Sequence, residues 1–168
     1  MRPQEPARFD APWSPLLKWI SGGATVLLTA IAMGVAGHVS GPPSRLYVVG
    51  ALLLVPMVAV LFAVSGYEVE GGRLRIRRLL WSDSLPLATL SSAVRDPALT
   101  VGSWRIAGNG GLFSFTGWFR SKALGNYRAY VTDFDRVVVL RFHDRRPVVV
   151  SPADPDAFVA AVGARARG

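Results

Sequence analysis

The stretch "LYVVGALLLVPMVAVLFAVSGYEVEGGRLRIRRLL", Leu46 to Leu80, switches from one periodicity to another, and the switch decides the fold. Residues 46–65 contain no Asp, Glu, Lys or Arg, and a helix of about 20 such residues crosses a hydrocarbon core of about 30 Å. From Tyr67 apolar and polar residues alternate around Gly71-Gly72, a pair suited to a two-residue β-hairpin turn because both central positions take positive φ. That turn sets Val69 opposite Leu74 and Tyr67 opposite Ile76 on one face, with Glu70 opposite Arg73 and Glu68 opposite Arg75 on the other. A membrane span is thus expected to run into a β domain with only Gly66 between them.

Upstream, "WISGGATVLLTAIAMGVAGHV", residues 19–39, is a second uncharged run, and "SGPPSR", Ser40 to Arg45, supplies a tight turn whose prolines forbid a continuous helix. As core helices of a soluble domain, the two runs would leave almost nothing in 168 residues to cover them. A cleaved signal peptide fits less well, because the first run exceeds the roughly 7 to 15 residues of an h-region and another span follows at once. Basic residues in short flanks set orientation. Arg2, Arg8 and Lys18 precede the hairpin, Arg45 alone lies in its loop, and Arg73, Arg75, Arg77 and Arg78 follow it. Both termini are therefore expected to be cytoplasmic, and Trp13, Trp19, Tyr47 and Tyr67 are expected near the span ends at headgroup level. The chain divides into a cytoplasmic tail (1–18, loose over the first twelve residues), a two-helix transmembrane hairpin (19–65) and a β domain (66–168).

Composition narrows the function. The absence of cysteine excludes disulfides, thiol catalysis and Cys-ligated zinc. Net charge is +8, and residues 67–168 hold fifteen basic against nine acidic residues, a net +6 that favours anionic surfaces without naming one. The spans carry no internal charge to line a proton or ion path. Ala30 and Gly34 provide a small-xxx-small face compatible with homo-oligomerisation, and Pro56 is a place for a kink in the second span.

After the first hairpin, "WSDSLPL", "SSAVRD", "GLFSFTG", "NYRAYVTD", "RVVVLRFHD" and "RPVVVS" supply six strand-like segments. In the fifth, Val138, Leu140 and Phe142 form one face and Val137, Val139 and Arg141 the other, as in a strand buried on nearly both sides. "SPADPDAFVAAVGARARG" then reads as a capped C-terminal helix with a narrow stripe of Phe158, Val159 and Val162.

About seven antiparallel strands and a C-terminal capping helix match the plan of a pleckstrin-homology-like barrel, so the fold class is a membrane-anchored all-β protein. The chain resembles the bacterial PH-domain families found in membrane-anchored proteins, over residues 67 to 162. The resemblance is carried by "YEVEGGRLRIRRLL", Leu85-Pro86-Leu87, Arg105 with Gly108, Gly117, "LGNYRAYVTD" and "VVVSPADPDAFVAAV". It implies a binding or scaffolding role.

Two groups of residues are candidates for contact. The hairpin register returns Arg77 opposite Gly66, which places Arg77, Arg78 and Trp81 near anionic headgroups, each cation contributing on the order of 1 kcal/mol. Arg73 and Arg75 face carboxylates and read as a solvated ion-pair ladder. The second group is Arg105, Trp118, Phe119, Arg120, Lys122 and Arg128 around "GWFRSK", read as a loop exposing two aromatics beside two cations, with core packing of Trp118 and Phe119 as the alternative. The glycines of "RIAGNGGLFSFTG" lack the strand-to-helix context and the Gly-Lys-Ser/Thr of a phosphate loop. Within the resemblance they serve bends, bulges and close strand approach.

No catalytic set emerges. His38 and His143 fall on opposite sides of the bilayer, His143 beside Asp144 reads as a solvated turn pair, and Asp133 with Asp135 reads as a hairpin loop. The expectation is a non-catalytic membrane protein without cofactor or metal, whose PH-like domain binds a membrane protein partner or the anionic lipid surface and not nucleic acid. The rival is a membrane-bound enzyme or transport accessory whose groove takes a small anionic molecule, and convergence of Arg105, Arg120, Arg128 and Tyr130 would favour it.

Overall fold

The computed structural model describes residues 6–38 and 41–166; Arg2 of the basic flank, Ser40 of the interhelical turn and the last two residues lie outside the described residues. Helices α1 (Pro15–His38) and α2 (Pro42–Leu61) pack side by side, and each is long and apolar enough to cross a membrane. The paired prolines open α2 rather than fill a loop, since the first helical turn has no use for their missing amides. Helix α2 stops at Leu61, short of the expected residue 65, because Val64 already belongs to a strand and is buried in the β core.

One sheet is antiparallel in the order β1 (Ala7–Asp10), β2 (Val64–Glu70), β3 (Arg73–Arg78) and β4 (Ser82–Pro86). The β2–β3 register has the four pairs expected from the Gly71-Gly72 turn, and Arg77 returns opposite Gly66. Strand β1 corrects the reading of a loose N-terminal segment. Phe9 packs edge-to-face on Phe158 at 5.2 Å, and the Ala153 amide donates to the Asp10 carbonyl at 2.9 Å. It also redistributes the charge ladder, because Arg8 takes Glu68 at 3.0 Å, Arg75 reaches diagonally to Glu70 at 3.8 Å and Arg73 donates to Ser84.

The second sheet holds β5 (Leu90–Arg95), β6 (Trp104–Gly110), β7 (Phe115–Ser121), β8 (Gly125–Val131), β9 (Val138–Phe142) and β10 (Val148–Val150), in the order β5-β9-β10-β8-β7-β6. The expectation of a closed antiparallel barrel of about seven strands is corrected on two counts. Among the described residues there are ten strands in two separate sheets, and β10 lies parallel to β8. The sheets part after Pro86: the Leu87 amide makes a last bond to the Gly72 carbonyl at 2.8 Å, and the Leu87 side chain turns into the core. Residues of both sheets meet in one core closed by Phe158 and Val162 of α3 (Pro155–Ala166). A second cluster, with Phe119, Tyr127 and Val139, fills the opposite face of the six-stranded sheet, so β9 is buried on both sides as its sequence implies.

Tyr67 links the two sheets rather than sitting at a membrane interface as expected: it is fully buried, its hydroxyl donates to the Tyr130 carbonyl at 2.6 Å, and it accepts from the Ser151 amide at 3.0 Å. Burial pushes its pKa from 10.0 up to about 12, against the opposing pull of Ser151 and Arg78. Below about pH 10 the phenol is neutral folded and unfolded, and its contribution is intact. Between pH 10 and about 12 the unfolded chain ionises first, so stability falls by about 3 kcal/mol from this group. Denaturant titrations of the full-length protein are expected to show this alkaline loss, and Tyr67→Phe should flatten it.

Candidate functional site

The junction of α2 with the sheets is built from Arg78. Its side chain is 5% exposed, its Nε and Nη2 donate to Asp83 Oδ2 at 3.1 and 2.9 Å, and its Nη1 donates to the carbonyl of Phe62, the C-cap residue just beyond α2. The guanidinium also lies over the rings of Trp81 at 5.7 Å and Tyr130 at 5.4 Å. Arg78 is therefore consumed in joining helix to sheet and is not displayed outward. Arg77, next to it, is exposed, and Trp81 leans edge-on against Phe62 at 5.0 Å.

From Tyr130 the alternation of cation and ring continues. Arg128 lies 5.5 Å from both the Tyr130 and Trp118 rings, and Arg146 lies 5.5 Å from Trp118. The β7–β8 register, with Trp118 opposite Arg128 and Thr116 opposite Tyr130, puts these side chains on one face, while Phe119 and Tyr127 stack on the other at 6.1 Å. Burial pushes the Tyr130 hydroxyl pKa up, partly offset by the Arg128 charge. Arg145 is engaged by Asp144, whose carboxyl it holds well below the usual range together with the Thr89 hydroxyl. That pairing corrects the reading of His143 as the partner of Asp144.

Among the described residues neither Arg128 nor Arg146 has a carboxylate within ion-pair distance, and Arg128 Nε is buried without a hydrogen-bond partner. A buried donor of that kind is costly unless something accepts from it. Two hollows meet at Arg128. The larger, about 780 Å³, runs between α2 (Ala51, Leu54, Val55, Val58) and the β6–β7 hairpin, and the smaller, about 360 Å³, is walled by Tyr130, Arg145 and Arg146.

The remaining sequence candidates disperse. "GWFRSK" is mostly strand β7 and not a loop, so its side chains part to opposite faces. Phe119 is core, Arg120 lies over Trp104 at 6.0 Å, Lys122 is exposed in the β7–β8 turn, and Arg105 donates to the Gly108 carbonyl at 2.9 Å. Of the four residues expected to converge, only Arg128 and Tyr130 do so. Asp83, Arg145 and Arg146 had no local signal, since their proximity depends on inter-sheet packing and on the parallel β8–β10 pairing.

The glycine-rich segment forms the β6–β7 hairpin. Its tip docks on α1, where Ser21 Oγ donates to the Gly111 carbonyl at 3.3 Å and accepts from the Phe113 amide at 2.8 Å, and Trp13 meets Phe113 at 5.9 Å. Gly108 faces Gly117 across the strands at a distance that admits no Cβ. Close strand approach, one of the roles expected for these glycines, is what the hairpin shows.

Two sheets around one core, a C-terminal helix and a cation–aromatic cleft define a small β domain joined to a pair of apolar helices. Residues 65–166 match the family described as Bacterial PH domain, and the chain belongs to that family. No curated protein and no solved structure matches the chain.

Proposed function

We propose that this is an integral protein of the bacterial inner membrane in which α1 and α2 hold a PH-like domain against the cytoplasmic leaflet, where it binds a membrane protein partner or the anionic lipid surface without catalysis. The observation that carries this reading is the outward-facing apolar surface of the two helices. Trp19 is 80% exposed and Met57 59% exposed, and no described residue of the β domain covers them. An apolar surface of that extent is matched by lipid. Tethering lowers the affinity needed, because a domain held at the surface meets membrane partners at high effective concentration.

The full-length chain is the unit to test, since a fragment beginning at residue 67 would lose β1 and Val64 from the fold. It is expected in the membrane pellet of lysed cells and to resist alkaline extraction; recovery in the aqueous supernatant would refute the anchor. A reporter active only outside the cytoplasm, fused after residue 168, is expected to stay silent.

The second reading, an enzyme or transport accessory subunit that takes a small anionic molecule, is favoured by Arg128 and Tyr130 meeting at the smaller hollow. Calorimetric binding of a soluble phosphate monoester to the detergent-solubilised chain, lost in Arg128→Gln, would support it.

A further inference from the structure

We infer that the larger hollow is a seat for one phospholipid of the adjacent leaflet, its acyl chain lying along α2 and its phosphate at Arg128, where the larger hollow meets the smaller one that Arg146 walls. The inference rests on the membrane-anchor reading above and adds a ligand and an address to it.

Length supports it first. From Ala51 to Phe62 the helical wall of the groove measures about 16 Å at 1.5 Å per residue, half of a hydrocarbon core of about 30 Å. The groove therefore extends over one leaflet. Polarity supports it next. The α2 wall from Ala51 through Leu54, Val55 and Val58 is apolar, whereas at Phe62 the groove meets Arg78, which bonds the Phe62 carbonyl and Asp83 and shares the Tyr130 ring with Arg128. An amphiphile with an anionic head fits that gradient in one direction only.

The cations divide their tasks. Arg78 is satisfied by Asp83 and the Phe62 carbonyl, and Arg145 by Asp144, so neither requires a ligand. Arg128 presents a buried Nε without an acceptor, and both it and Arg146 lack a carboxylate partner among the described residues while flanking Trp118. A phosphate oxygen is an acceptor that a guanidinium fork binds with two parallel hydrogen bonds. A groove of about 780 Å³ is within the size range of ligand sites, about 300–1,000 Å³, and its apolar half favours lipid over water.

The test uses the full-length protein purified in mild detergent and exposed to mixed micelles of phosphatidylglycerol in phosphatidylcholine, with bound lipid counted by native mass spectrometry. One retained phosphatidylglycerol per chain is expected. Arg128→Gln with Arg146→Gln should lower its retention about a hundredfold or more, the size of two lost charge-assisted hydrogen bonds. Val55→Trp, at a position 51% exposed on α2, should fill the groove and remove the lipid while leaving the charges in place. It also decides the matter if the arginine variants fail to fold.

Equal retention by wild type and Val55→Trp would overturn the inference. So would displacement of the lipid by soluble glycerol phosphate, which would mark a site for free anions. Either result in a protein that still pellets with membranes leaves the anchor intact, whereas a chain found in the supernatant removes both.

Discussion

Gly117→Ala is expected to destabilise the six-stranded sheet more than any surface substitution. Gly117 has φ of 135°, and a Cβ there would run into the Ala107 carbonyl oxygen and stand 2.8 Å from Gly108 Cα. These are backbone atoms of the paired strand, so no rotamer change relieves the contact. Strained φ alone costs about 1–3 kcal/mol. With the forced parting of β6 and β7 the loss should reach at least about 4 kcal/mol, a large part of the roughly 5–15 kcal/mol that holds a domain together. In thermal unfolding of the detergent-solubilised chain this corresponds to a drop of about 10 °C or more. Gly125→Ala is the control. Gly125 also has positive φ, at 67°, but a Cβ there meets nothing within 4 Å, and the change should cost about 1 kcal/mol. Equal melting of the two variants would show that strand proximity is not what selects glycine at 117.

Arg78→Met is expected to loosen the join between α2 and the sheets. The substitution keeps an unbranched apolar stem but strands Asp83 and removes the strongest donor to the Phe62 carbonyl. Breaking a buried pair from one side costs about 3–5 kcal/mol. Asp83 is 33% exposed and partly recovers water, so about 2–4 kcal/mol is expected here. Hydrogen exchange should accelerate at residues 62–64 before it does in β9. Adding Asp83→Leu should restore part of the loss by removing the orphaned carboxylate, while Arg78→Lys should fail to rescue because an ammonium cannot reproduce the fork. Unchanged exchange at residues 62–64 in Arg78→Met would refute the role of Arg78 as the connector.

Arg78 also marks where reading the chain locally stopped working. Alternation and the Gly71-Gly72 turn placed Arg77 and Arg78 side by side at the end of a hairpin, which is correct. Neighbours on a strand point to opposite faces, however, and only the packing of α2's end and Asp83 decides which arginine is swallowed. The hairpin register, both faces of β9 and the uncharged helices were legible because each depends on residues near in sequence. Strand β1 was not, since "ARFD" offers a single large apolar side chain and no turn to pair it with β2, 54 residues or more away. The candidate site was half legible. Trp118 and Arg128 belong to adjacent strands, but Arg146 is brought in by β10 lying parallel to β8, and no local pattern in "RPVVVS" distinguishes that from an antiparallel partner.

Strand β1 precedes α1 and pairs with β2, which follows α2, so the two feet of the helical hairpin are stitched into a single sheet. For a membrane-inserted chain this makes maturation conditional on translocation geometry. If only one helix crossed, Ala7–Asp10 and Val64–Glu70 would be stranded in different compartments, Phe158 would lose its edge-on ring from Phe9, and the module could not close. Correct threading thereby becomes a prerequisite for folding, and misthreaded copies would present an unfinished sheet to proteolysis.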